Sequence, residues 1–167
     1  MVLRQQSAMG GHIAYNYNSI GRELANDGKL PLQGMTMPII LDYFQNYPQE
    51  LNIYIPRDHS FVFFQENRGE PAQGFINVLL TAERFIATDK SLMPASALAL
   101  IRASIPFVNP TGKMEERIVS RYVLDQDTGG AMKGAGRVDY FLGTGKLAGD
   151  RAGVTASNGQ LFYLLLK

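Results

Sequence analysis

A chain of 167 residues can form one domain, or one domain with a small appendage, and bury a sizeable core. Apolar content of 46% against 19% charged residues excludes wholesale disorder, and a formal net charge of +1 gives no electrostatic footprint for nucleic acid or an anionic membrane. The absence of cysteine excludes disulfides and thiolate metal sites, and no segment reaches transmembrane length.

The opening stretch, MVLRQQSAMGG, lacks the apolar run of a signal peptide, and the first dozen residues have no period and are expected to be loose. Ser19 is a good N-cap for a short helix carrying Ile20 and Leu24 four apart, with Gly28 as its stop. Thr36 can cap a second helix with Pro38 in its first turn and Ile40, Leu41, Tyr43 and Phe44 as its apolar set. Pro48 begins a shorter helical turn that Pro56 ends. The period then changes. Phe61-Val62-Phe63-Phe64 reads as a strand buried on both faces, and 75–80 and 83–88 as short strands. Residues 97–108 and 116–124 read as the arms of a hairpin around Asn109-Pro110-Thr111-Gly112. Residues 137–142 and 160–166 read as further strands, the last a core strand. The sequence is therefore expected to be mainly β with a small helical subdomain (α+β), with a helical segment over 1–58 and a compact β-barrel over 59–167.

Two carboxylates stand out between Tyr122 and Gly153. Asp139 lies between Val138 and Tyr140-Phe141-Leu142, inside a strand pattern where Asp is disfavoured. Strand alternation puts it with Arg137 and Phe141 on one face, and Val138, Tyr140 and Leu142 on the other. A carboxylate beside aromatic rings loses solvation, which suits it to general-acid work; an exposed Asp paired with Arg137 is the plainer alternative. Asp127 opens Thr128-Gly129-Gly130, which is turn chemistry. A single Asp-Thr-Gly does not make an aspartic protease, which needs two such carboxylates sharing a proton. Gly143-Thr144-Gly145-Lys146 lacks the flanking residues of a phosphate-binding loop, and His12 and His59 have no metal-ligand spacing. What remains is carboxylate acid–base work by Asp127 and Asp139, with Asp89 and Asp125 as further candidates and no cofactor.

The run DTGGAMKGAGRVDYFLGTGKLAGDRAG (127–153) closely resembles the signature of the three-aspartate (3D) domain, in the version found in membrane-bound lytic murein transglycosylase A. TAERFIATDKSLMP (81–94) resembles the same domain's first motif, which contributes Asp89, and residues 15–64 resemble the stretch that precedes that domain in the family. Three ordered motifs are far more specific than any one of them. Pro94 is followed by Ala95-Ser96 where the family usually has Pro-Pro-Gly, which alters a turn.

The resemblance implies a double-psi β-barrel. It implies cleavage of the MurNAc-β-1,4-GlcNAc bond of peptidoglycan, with the muramoyl 6-hydroxyl attacking its own C1 to leave a 1,6-anhydro sugar. By motif position a single aspartate, Asp139, serves as acid and then base, with Asp127 as its neighbour. Asp89, Lys133, Gly129, Gly130, Phe141, Gly143, Thr144 and Gly145 are expected to shape the site or bind substrate. No metal is implied. The expected partner is the glycan strand, met by a monomer without membrane contact of its own, in the envelope or periplasm of a Gram-negative-type bacterium. Family members are about twice as long, so the resemblance also implies a C-terminal fragment or a truncated homologue, weakly active or inactive on its own. A non-catalytic glycan-binding barrel and a hydrolytic glycosidase on the same barrel are the alternatives.

Overall fold

The computed structural model describes residues 9–13, 18–59, 61–64, 69–129 and 132–166. The chain forms two compact units, Ser7–Glu66 and one that holds Asn67–Lys167. In the first, strand β1 (Met9–Ile13) pairs antiparallel with β2 (Phe61–Phe64). The N-terminal stretch expected to be loose thus contributes a strand, because the unpaired backbone of Phe61–Phe64 offers it a ladder. The burial of the β2 side chains lies outside the described residues.

Helix α1 (Ile20–Asn26) starts where Ser19 accepts a hydrogen bond from the Arg22 amide, and helix α2 (Met37–Asn46) carries Pro38 in its first turn. A 3₁₀ turn at Pro48–Glu50, helix α3 (Leu51–Tyr54) and a second 3₁₀ turn at Ile55–Arg57 complete the segment. Leu24, Tyr43, Phe44 and Tyr54 form its core. The Tyr54 hydroxyl donates to Asp27, and Arg57 lies over the Tyr54 ring while pairing with Glu23 and Asp27. Tyr43 and Tyr54 are therefore core residues whose hydroxyls reach partners at the rim.

Among the described residues the second unit is a mixed five-stranded sheet with one helix. Its strands are β3 (Phe85–Ala87), β4 (Ala97–Val108), β5 (Met114–Asp127), β6 (Asp139–Tyr140) and β7 (Gly159–Tyr163), in the order β6-β3-β5-β4-β7. Only β3 and β5 run parallel. The α+β expectation is met. The described strands do not close on themselves, which is compatible with a double-psi barrel.

The hairpin of β4 and β5 is paired from Ala97↔Asp125 to Val108↔Met114. Asn109 closes it, its side-chain oxygen accepting from Thr111 and Lys113 amides, and Gly112 takes φ 82. Alternation sends Ala99, Ile101, Ala103 and Ile105 inward onto Ile86, Val123, Tyr140 and Leu142.

Three expectations are corrected. Residues 75–80 form no strand: Gln73 and Leu79 make an isolated bridge around a tight turn at Asn77, whose φ is 58. The closing strand ends at Tyr163, and Leu165 and Leu166 are exposed. Helix α4 (Lys146–Val154) was not foreseen, because it has no apolar stripe. It is held by buried Ala148 and by Arg151, whose Nε donates to the Pro106 carbonyl at 2.7 Å. The Arg151 guanidinium stacks on Phe107 and pairs with Glu83 at 2.8 Å.

Ile105 is 1% exposed and Ile118 is 70% exposed on the same hairpin. Urea denaturation should show Ile105→Ala losing about 2–5 kcal/mol and Ile118→Ala staying within about 0.5 kcal/mol of wild type. Equal losses would contradict the assignment of the core face.

Candidate active site

The site is built on β6, β3 and β5. Ala87 is the register partner of Asp139 on one side and of Asp127 on the other. Side chains in one cross-strand row point to the same face of a sheet, and neighbouring strands lie about 4.8 Å apart, so the two aspartates stand about 10 Å apart at Cα with one methyl group between them.

This row depends on a slip in register. Ile86 pairs with Asp125 but the next residue, Ala87, pairs with Asp127, so Gln126 is an extra residue in β5. Regular alternation would put Asp125 and Asp127 on the same face. The bulge instead leaves Asp125 in the core row with Ile86 and Tyr140 and turns Asp127 into the opposite row with Asp139.

Asp127 Oδ1 accepts the Phe75 amide at 3.1 Å. Gly74 makes that approach feasible, since a Cβ there would lie 2.6 Å from the Gln126 carbonyl oxygen. Burial raises the Asp127 pKa above the ordinary carboxylate value; backbone donors at Thr128 and Phe75 and the Lys90 charge oppose this, while Asp139 adds to it. Asp139 is half-buried on the edge strand, with Arg137 Nε donating to its Oδ1 at 3.4 Å.

Asp89 plays a different part. It is buried, its Oδ1 accepts from the Ser91 amide at 3.0 Å and the Ser91 hydroxyl at 2.7 Å, and its Oδ2 accepts the Gly134 amide at 2.8 Å. It bolts the loop after β3 to the turn after Asp127. Those donors, Ser91 first, hold its pKa down at about 2, with Lys133 assisting.

The other expected site residues are spread around this row. Gly129 lies against Met132, while Gly130 falls outside the described residues. Lys133 is exposed on the turn, and Phe141 is half-buried, exchanging backbone bonds with Phe85 and Glu83. Gly143 takes φ 110, with a Cβ placed there 3.2 Å from Ala82. Thr144 and Gly145 are exposed just before α4.

Sequence reasoning held Asp125 only as a further candidate carboxylate and missed its partners Thr88, Lys90 and Tyr163. Asp125 is fully buried, accepting from Thr88 Oγ1 at 2.6 Å and from the Lys90 ammonium and Tyr163 hydroxyl. Its phase with Val123 was a usable signal, since an acid on a core face must find donors. Among the described residues no group of acidic or histidine side chains could hold a metal ion, and no helix is long and apolar enough to cross a membrane.

A family model for the 3D domain matches residues 84–165, and one for the MltA specific insert domain matches residues 6–65. The chain is 30% identical over 155 residues to the membrane-bound lytic murein transglycosylase A of Escherichia coli K12, covering 92% of this chain and 42% of that protein. It is similar to a structure of E. coli MltA with bound chitohexaose (TM-score 0.75, 27% identity, 93% of this chain and 46% of that one). It also resembles the enzyme from Agrobacterium tumefaciens (TM-score 0.71, 28% identity, 94% and 42%). The chain belongs to the membrane-bound lytic murein transglycosylase A family. It spans less than half the length of those members of the transglycosylase family. Within it, the 3D-domain match takes in all three aspartates of the motifs, Asp89, Asp127 and Asp139.

Asp89 supplies a pH test. Its folded-state pKa is depressed to about 2 from 3.8, so its stabilisation is present above the unfolded value and is lost as pH falls through about 2. Wild type should therefore exceed Asp89→Asn in urea midpoint at neutral pH, and the gap should narrow between pH 4 and 2. A gap that stays constant with pH would remove the charge from the explanation.

Proposed function

We propose that the chain carries the catalytic aspartate of a peptidoglycan lytic transglycosylase acting in the bacterial envelope. The observation that carries the reading is the Asp127–Ala87–Asp139 row, in a chain whose relatives are named as lytic murein transglycosylases. Support for a glycan ligand comes from the relative whose structure holds chitohexaose.

In the proposed reaction Asp139, protonated, gives its proton to the glycosidic oxygen as the bond from C1 of MurNAc breaks. Asp139, now a carboxylate, takes the proton of the muramoyl 6-hydroxyl as that oxygen bonds to C1, and the ring closes as the 1,6-anhydro sugar. Protons balance within one cycle and no water is consumed. One carboxylate suffices because the nucleophile belongs to the substrate and is already positioned by it. Asp127 fits the role of neighbour: backbone amides hold it in place, and its raised pKa lets it stay neutral to higher pH, easing repulsion when Asp139 ionises. Asp139 stands on an edge strand, where a polymer can reach it. Lys133, Phe141, Thr144 and the surrounding glycines would line the approach.

The share of the relatives that the chain spans favours a second reading, a glycan-holding module without turnover. Peptidoglycan digestion followed by mass spectrometry separates the readings. Anhydromuropeptides are expected from wild type, with Asp139→Asn lowering them by about 10²–10⁴-fold. Undiminished product from Asp139→Asn would overturn the assignment. Reducing-end sugars would identify a hydrolase, and glycan retention without product would identify the binding module.

A further inference from the structure

The proposed reaction makes no use of the most deeply buried acid among the described residues. Asp125 is fully buried and spends its oxygens on three donors from three places: Thr88 just after β3, Lys90 two residues on, and Tyr163 on β7. Lys90 Nζ also donates to Thr88 Oγ1 at 2.9 Å, and its side chain is only 14% exposed. A buried ion pair of this kind is weak evidence for stability, because apolar residues of similar volume do as well. Its position suggests another use.

Asp125 and Asp127 flank the bulge residue, and Thr88 joins both sides of it. The Thr88 side chain bonds Asp125, its amide donates to the Asp127 carbonyl at 3.3 Å, and its own carbonyl accepts from the Thr128 hydroxyl at 3.0 Å. The cation pinned to Asp125 is therefore held on the core side of the bulge and tied through Thr88 to the backbone of Asp127. We propose that Lys90 is a positioning residue of the Asp127–Asp139 site: held by Asp125 and Thr88, its ammonium is the fixed positive charge that opposes protonation of Asp127 beside Asp139. The assignment rests on the reading of Asp139 as the acid–base residue and Asp127 as its neighbour.

The charges around Asp127 leave this role to Lys90. Asp139 faces it from β6 with the same sign, and Arg137 is spent on Asp139. Lys133 acts on Asp89 in the neighbouring loop. Asp125 lies on the far side of the bulge with its charge matched by Lys90. Tyr163, pushed up to about 12 by burial and by Asp125, remains a neutral donor at working pH. Lys90 is the cation whose charge opposes protonation of Asp127.

The test is a carboxyl ¹³C NMR titration of the full 167-residue chain, with the Asp127 signal assigned by its loss in Asp127→Asn. Lys90→Met alone strands a buried charge and can unfold the protein, so Lys90→Met is combined with Asp125→Asn, which removes both charges and keeps acceptors for Thr88 and Tyr163. The Asp127 midpoint should move upward in the double variant and hold its wild-type position in Lys90→Arg. A folded double variant whose midpoint is unmoved or lower overturns the proposal. The titration needs no turnover. An upward shift in a chain that yields no anhydro product supports the placement of Lys90 and counts against the transglycosylase reading alone.

Discussion

One extra residue in one strand decides what this sheet can do. With Gln126 inserted opposite the Ile86–Ala87 step, β5 presents two aspartates, two positions apart, to opposite faces. Asp125 is buried on a core that also holds Tyr140 and Val123; Asp127 is turned toward Asp139. Without the slip both would crowd one face and Asp139 would have no partner in its row. The bulge is in turn supported by what packs on it: Gly74, the one residue type that can sit against the Gln126 carbonyl, and Thr88, which is hydrogen-bonded on either side of it.

The three motif aspartates illustrate how differently a fold can hold the same side chain. Asp89 is saturated by a hydroxyl and two amides, and its lowered pKa shows a charge used as a fastener. Asp127 receives backbone donors but pays a larger desolvation cost, so its pKa is raised. Asp139 meets a half-exposed guanidinium on a short edge strand. Only the last two share a row, and the fastener lies outside it.

Much of the local structure was legible because it rests on local chemistry. Ser19, Pro38 and Gly28 mark helix ends by hydrogen bonding and φ alone, and the Asn109–Gly112 turn follows from side-chain acceptors and a positive φ. Asp139 was conspicuous because an acid in an apolar alternation breaks a simple rule. What stayed hidden was set by distant partners. The bulge leaves no mark in the composition of 122–128. The strand expected at 75–80 gave way to a turn because its amide is wanted at Asp127. Helix α4 is held by Arg151 reaching Glu83, Pro106 and Phe107, none of them near it in sequence. Asp125 was among the candidate carboxylates, and its phase with Val123 marked it for burial, but Lys90 and Tyr163 could not be read, since nothing local pairs them with it.

The same geometry bears on why two carboxylates would stand in a row when the proposed reaction needs one proton carrier. A lone acid on an edge strand is set mainly by solvent, which varies as a substrate arrives and water leaves. A second carboxyl in the same row, its Oδ1 held by the Phe75 amide and with a fixed cation across the bulge, would supply a reference that the substrate does not disturb. If Asp139 releases its proton as proposed, the cost of the new charge depends on how readily Asp127 ionises, which burial opposes and the Lys90 charge favours. On that proposal the core-side ion pair and the outer-face acids form one electrostatic unit divided by a single bulge, a use for a buried charge pair that packing alone would not require.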